Sequence, residues 1–402
     1  MFDSIISNRL VQQRTSGLLR KRLVADSVSA THIELSGKRY INFASNDYLG
    51  IATDNQLSSL CTSGNSDSAN QSLADISTGS MASPLVVGRD KLHLELEQNL
   101  LEWVGAPTSH DCLLFSSGYS ANVGVLSALF NQKNDNALLI QDKLNHASLM
   151  DVGRNLQSLG HVKHCRFHHN DLTSLDNIMA KHQALNGPKI VVTEGVFSMD
   201  GDEPDLSLLS SLARQNNAWT MLDDAHGIGV HGKKGAGSLS AQNVALSDCE
   251  ILVITFGKAI GSQGAAVIAN KQTIEYLTNF SREYIYSTHL SPLQVASVVN
   301  NIKHIQQDDW RREKLAENIA YFKQAIKQSS FELLASNTAI QPILIKDEQQ
   351  AMDLSERLKQ KGIWTSAMRY PTVAKKQARV RVTLSAAHSF EQIDQLTKQI
   401  SS

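Results

Sequence analysis

Six short apolar runs, at 112–115, 137–140, 189–193, 219–222, 251–255 and 265–269, recur between stretches of helical spacing. A strand with one wet face alternates apolar and polar residues. A strand covered on both faces reads as an unbroken apolar run, as these do. Runs of this kind separated by helical patterns, such as 206–216, predict an α/β fold with a doubly wound, mostly parallel central sheet. Folds of this class bind ligands outside the carboxyl ends of their strands. The residues just after each run are therefore the first candidates for chemistry.

The texture changes after Pro292. A long helical pattern covers 293–328, followed by a strand at 340–345, a helix at 349–361 and a strand at 380–384. This α+β pattern predicts three parts: an N-terminal arm over 1–45, a large domain over 46–290 and a small C-terminal domain over 291–402. Residues 89–105 carry Leu92, Leu96, Leu100, Leu101 and Val104 at helical spacing. Residues 54–80, rich in Ser, Asn and Asp, read as loop with a short helix. Residues 2–22 read as an amphipathic helix docking on the body through Phe2, Ile5, Ile6 and Leu10, rather than as a transit peptide.

At 402 residues the chain is long enough for a sizeable core. With 42% apolar and 19% charged residues it is not a disordered chain. A formal net charge of -1 disfavours nucleic acid and anionic membranes as partners. The cysteines Cys61, Cys112, Cys165 and Cys249 form no CxxC pair, so neither a disulfide framework nor a structural zinc knot is expected. No apolar run approaches membrane-spanning length. A cytoplasmic location is the expectation.

Three strand ends stand out. Thr193-Glu194-Gly195-Val196-Phe197-Ser198 follows one run, Asp223-Asp224-Ala225-His226 the next, and Thr255-Phe256-Gly257-Lys258 a third. A lysine, an acid pair, a histidine and hydroxyls thus reach one rim. Most lysines are solvated charges, but Lys258 lies among small residues that let a bulky group approach the backbone. Pyridoxal 5'-phosphate (PLP) needs a lysine for a Schiff base, an acid at its ring nitrogen and donors for its phosphate. Ser117-Gly118-Tyr119 opens a predicted helix, whose first amides suit a phosphate or merely form a capped turn. His146 follows another strand, where an imidazole can stack on a cofactor ring.

Two patterns compete. Gly227-Ile228-Gly229-Val230-His231-Gly232 fits GxGxxG and, with Lys233, falls just short of a P-loop, so a nucleotide-binding protein is the rival of another class. The glycines lead into Lys-Lys-Gly-Ala-Gly rather than an apolar helical pattern, which argues against it. His161, His164, Cys165, His168 and His169 have the spacing of a zinc module; the plainer reading is a strand and turn with solvated imidazoles, and no metal is expected.

Taken together, these residues resemble the α-oxoamine synthases of the fold-type I PLP enzymes, nearly end to end. The resemblance rests on NFASNDYLG at 42–50, VTEGVFSMDG at 192–201, DDAHGIG at 223–229, TFGK at 255–258, YST at 286–288 and RYPTV at 369–373. It implies that Lys258 bonds the cofactor and moves the substrate Cα proton, and that Asp223 pairs with the pyridinium nitrogen. It implies His226, with Ser198, at the ring hydroxyl, and His146 on the ring face as a catalytic and substrate-contacting residue. Gly118, Tyr119 and Thr255 would hold the phosphate, with Thr288 reaching in from a second subunit of a homodimer. Asn46 and Arg381 would take the amino-acid carboxylate, and Arg20 and Thr372 the substrate or product chain. The implied substrates are L-alanine and a pimeloyl thioester, pimeloyl-CoA or pimeloyl-acyl carrier protein, in biotin biosynthesis. The alternative within the family is a member such as glycine C-acetyltransferase. One stretch departs from the family pattern: a glycine-rich loop common in relatives is Gly79-Ser80-Met81-Ala82-Ser83-Pro84-Leu85 here, stiffer and bulkier. That loop bears on acyl-chain specificity.

Overall fold

The computed structural model describes residues 1–54 and 76–401. Most of the loop expected at 54–80, with Cys61, lies outside the described residues. The chain begins with helix α1 (Phe2–Thr15) and a ribbon of β1 (Ser27–Val28), β2 (His32–Leu35) and β3 (Lys38–Asn42). The central sheet follows, built from β4 (His110–Phe115), β5 (Leu138–Asp142), β6 (Lys163–Phe167), β7 (Lys189–Glu194), β8 (Trp219–Asp223), β9 (Ile251–Thr255) and β10 (Ala265–Asn270). Their order across the sheet is β4-β10-β9-β8-β7-β5-β6.

The neighbouring pairs from β9 to β6 are parallel, whereas β10 is antiparallel to both β4 and β9. The reason is the length of the link. Only residues 256–264 separate β9 from β10, and a parallel crossover needs a dozen residues or more. The backbone instead folds back, with Phe256 and Ser262 amides bonding Gly264 and Phe256 carbonyls at 2.9 and 2.8 Å. Lys258 sits in this return.

The apolar runs are covered on both faces, as their composition predicts. Along β10, Ala265, Val267 and Ala269 pack with helices α3 (Gly118–Leu129), α4 (Ala147–Ser158) and Lys271–Phe280. Ala266 and Ile268 point the other way, toward α2 (Lys91–Trp103) and the helix Pro292–Gln307. Each fully buried Val, Leu or Ile contributes about 1.5–3 kcal/mol, so this two-faced core is what fixes the strand ends in space.

C-terminal to the sheet, the expected long helix is two, Pro292–Gln307 and Asp309–Ala325. Asp308 leaves helical geometry between them, at φ -95 and ψ 65. A second sheet follows, of β11 (Glu332–Leu333), β12 (Ile340–Lys346), β14 (Ser366–Met368) and β15 (Ala378–Thr383), while β13 (Ile363–Trp364) pairs in parallel with β3. The N-terminal ribbon is thereby stitched to the C-terminal segment.

One expectation is corrected. Helix α1 buries no residue, and Phe2, Ile5, Ile6 and Leu10 are all exposed. Its apolar side chains stay exposed rather than docked on the body among the described residues. The segment after it is instead held by Arg369, whose Nη2 donates to the Gly17 carbonyl.

Candidate active site

The rim is assembled from the carboxyl ends of β4, β5, β7, β8 and β9. After β4, Ser117 caps α3 by accepting the Ser120 amide at 3.1 Å. The first helical amides, those of Gly118 and Tyr119, have no acceptor within their own helix. Gly118 is forced to be glycine, because a Cβ there would meet Thr255 Cγ2 at 2.5 Å. Thr255 Oγ1 is buried beside it without a hydrogen-bond partner among the described residues. An orphaned buried hydroxyl costs about 1–3 kcal/mol, and a phosphate seated on these amides would satisfy it.

Asp223 ends β8, buried. Its Oδ2 accepts from Asn122 Nδ2 at 2.7 Å and its Oδ1 from the Ala225 amide at 3.1 Å. Asn122 projects from α3 and also donates to Ser148 Oγ at 3.0 Å. His146 caps α4; its Nδ1 lies 2.8 Å from Ser148 Oγ, and its amide donates to Glu194 Oε1 at 2.5 Å. Burial, then the nearby Lys258, lowers the His146 pKa despite Asp223. Burial holds the Glu194 carboxyl well above the ordinary range, and Asp223 adds to the effect.

His226 is buried, its Nδ1 2.6 Å from the Tyr48 hydroxyl. Burial first, then the charges of Lys258 and Arg381, push its pKa well below 6.5. The ring is neutral, so one nitrogen accepts and the other donates. Burial also lowers the Lys258 pKa, against the attraction of Asp223 and Glu194. Among the described residues Lys258 makes no side-chain hydrogen bond or ion pair. It is an amine kept uncommitted.

Arg381, on β15, crosses from the C-terminal sheet into the rim. Nε donates to the Ser198 carbonyl at 2.8 Å, Nη1 to Thr383 Oγ1 at 3.0 Å and Nη2 to Asn46 Oδ1 at 3.1 Å. All three acceptors are neutral. Among the described residues no carboxylate pairs with this buried cation, and a buried charge without a counterion is a binding site for one.

Nine of the expected residues are therefore joined by contact or charge on this rim: Lys258, Asp223, His226, His146, Gly118, Thr255, Ser198, Asn46 and Arg381. Tyr119 contributes its amide; its half-exposed side chain points to Asp151, 3.4 Å away. Arg20, Thr288 and Thr372 are exposed and, among the described residues, form no hydrogen bond with any of the nine. Tyr48, Asn122 and Glu194 carry no role in the sequence reading, although each lies in or beside a quoted motif. A lone Asn in the apolar helix after Ser117-Gly118 was the available signal. A cleft of about 530 Å³ lined by Trp103, Lys233, Lys234 and Lys303 holds none of these residues.

The competing motifs dissolve into packing. Gly227 is small because a Cβ would meet Asp224 Oδ1 and Ser238 Oγ, both at 2.2 Å, so the GxGxxG closes its own loop around Asp224. The imidazoles near 161–169 find separate partners: Phe130 carbonyl for His161, Gln141 for His164, Lys143 for His168, Asp142 and Asp202 for His169.

The fold and rim define a PLP-dependent enzyme of fold type I, and the chain belongs to that class: a family model described as aminotransferase class I and II matches residues 38–400. A solved serine palmitoyltransferase from Sphingomonas wittichii superposes with a TM-score of 0.86 at 27% identity, covering 100% of this chain and 96% of that one. Other matched structures hold PLP. More narrowly, the chain belongs to the 8-amino-7-oxononanoate synthases, PLP-dependent acyltransferases. It is 40% identical to the one from Aeromonas hydrophila subsp. hydrophila over 395 residues, 98% of this chain and 94% of the relative. The solved synthase from Francisella tularensis matches with a TM-score of 0.74 at 28% identity, over 90% of this chain and 97% of that one.

Proposed function

We propose that the enzyme condenses L-alanine with a pimeloyl thioester, carried by CoA or an acyl carrier protein, as a step of cytoplasmic biotin synthesis. The new bond joins alanine Cα to the acyl carbon, and CO2 and the carrier thiol leave. Bound PLP supplies an electron sink for the pairs left on Cα by proton loss and by CO2 loss. The residues do the rest. Lys258 would hold the cofactor covalently, and its Nζ would take the alanine Cα proton. That task needs a neutral amine, and burial favours the neutral form. Asp223 keeps a proton on the ring nitrogen by placing a negative charge against it. Asn122 and the Ala225 amide hold that carboxylate in place.

His146 covers one ring face, and neutral His226 donates to the ring oxygen with Ser198 beside it. Gly118, Tyr119 and Thr255 bind the phosphate, joined by Thr288 of the second subunit of a homodimer. Arg381 and Asn46 receive the alanine carboxylate; Arg20 and Thr372 contact the acyl chain. The single observation that carries the reading is an uncommitted, buried lysine facing a fixed aspartate, with an orphaned threonine hydroxyl at a helix N-terminus. Incubating the purified protein with alanine or glycine and a series of acyl thioesters, with CO2 and ketone products identified by mass, tests it. Alanine with the pimeloyl thioester is the pair expected to turn over fastest.

A further inference from the structure

Two turns flank the rim, and one histidine spans them. Asp142, at the end of β5, closes the turn leading to His146: its Oδ1 accepts the Leu144 amide at 2.8 Å and its carbonyl the Asn145 amide at 3.2 Å. Asp202 closes the turn carrying Ser198. Its carbonyl accepts the Phe197 amide at 3.0 Å, and the Gly201 amide donates to the Phe197 carbonyl at 2.8 Å. His169, in the loop after β6, reaches both acids, with Nδ1 2.9 Å from Asp142 Oδ1 and Nε2 2.7 Å from Asp202 Oδ2. Asn170 repeats the span: its amide donates to Asp142 Oδ2 and its Nδ2 to Asp202 Oδ2, both at 2.8 Å. It does so from a left-handed backbone, φ 51, which asparagine tolerates. The His169 ring stands edge-on to Phe197, centroids 4.4 Å apart.

We propose that His169 is a positioning residue: bonded to Asp142 and Asp202, it fixes the spacing between the turn that presents His146 and the turn that presents Ser198. The proposal rests on the assignment of those two side chains to the cofactor ring. Donating from both nitrogens requires the doubly protonated ring. Burial works against that form, but the hydrogen bonds and charges of Asp142 and Asp202 prevail and push the pKa up to about 9. The other carboxylate within reach, Asp200, is taken by the Arg379 guanidinium. His169, Asp200 and Asp202 are close enough to hold a cation, yet ring and guanidinium already supply the positive charge.

The test uses the holoenzyme. Nitrogen-15 NMR of the histidine-labelled wild-type holoenzyme, with the His169 signal assigned through its contact with the Phe197 ring, is expected to show His169 as an imidazolium at pH 7.5. The variant is expected to release PLP roughly tenfold faster, the scale of one charge-assisted hydrogen bond, and to weaken the visible circular dichroism of bound PLP. In a His146→Ala background the same substitution is expected to change release much less. A neutral His169 at pH 7.5 overturns the proposal even if the variant fails to fold. So does a folded His169→Asn enzyme with wild-type release, or an effect of equal size in both backgrounds. Borohydride trapping followed by mass mapping separates the two layers: PLP found on Lys258 with an indifferent His169 sinks only the clamp, whereas PLP found elsewhere sinks the reading of the site beneath it.

Discussion

At the scale of single residues, the site works by withholding partners. Among the described residues, Lys258 has no side-chain hydrogen bond to give up when it bonds the cofactor, Thr255 Oγ1 has none to lose, and Arg381 has only neutral acceptors. Such groups cost stability in the empty protein and return it when the ligand arrives. Thr255→Val, nearly isosteric, is therefore expected to leave the melting temperature of the PLP-free protein unchanged or raised. It should also weaken PLP retention roughly tenfold, as for a hydrogen bond to a charged group; thermal melts and a PLP titration check both halves. Lys258→Ala is expected to cut turnover by about 10²–10⁴-fold or more, the range of a positioned general base, and to abolish borohydride trapping of the cofactor. Asn122→Ala frees one oxygen of Asp223 and is expected to lower PLP affinity by roughly tenfold, read by equilibrium titration.

At the scale of elements, the strand ends do the placing, and most of this was legible. Apolar runs at 189–193, 219–222 and 251–255 lie on three neighbouring strands, and Glu194, Asp223 and Lys258 follow as periodicity and strand-end logic require. The antiparallel β10 was hidden because run length and composition carry no direction; only the short link of 256–264 encodes it. Arg381 was named only through the family resemblance, and its arrival from the C-terminal sheet depends on pairing with β12 and β14, a long-range fact. Tyr48 and Asn122 were missed because hydrogen bonds across 178 and 101 residues leave no local pattern. The β6 loop belongs to this scale too. Because the His169 pKa is raised in the fold, from 6.5 to about 9, the native state holds that proton more tightly than the unfolded chain. Its stabilisation is complete below pH 6.5 and fades as pH rises through about 9. The stability gap between the wild type and His169→Asn, from urea unfolding, is thus expected to narrow over that window.

At the scale of the molecule, several apolar and polar groups of the single chain face solvent. Thr288 is exposed, and so are α1 and the apolar residues Met81, Leu85, Val86 and Val87. The proposed homodimer would give these surfaces a partner and would bring Thr288 to the facing site. Sedimentation is expected to report twice the chain mass, with Thr288→Ala weakening PLP retention without dissociating the pair. The loop at 79–85, with Met81 and Pro84, is the place to look for altered acyl-chain preference. The most direct test of the account is mass analysis of the product formed from L-alanine and pimeloyl-CoA by the PLP-loaded enzyme. The account predicts 8-amino-7-oxononanoate with one CO2 released per thiol. Turnover with glycine but not alanine, or none with any pimeloyl thioester, would contradict it.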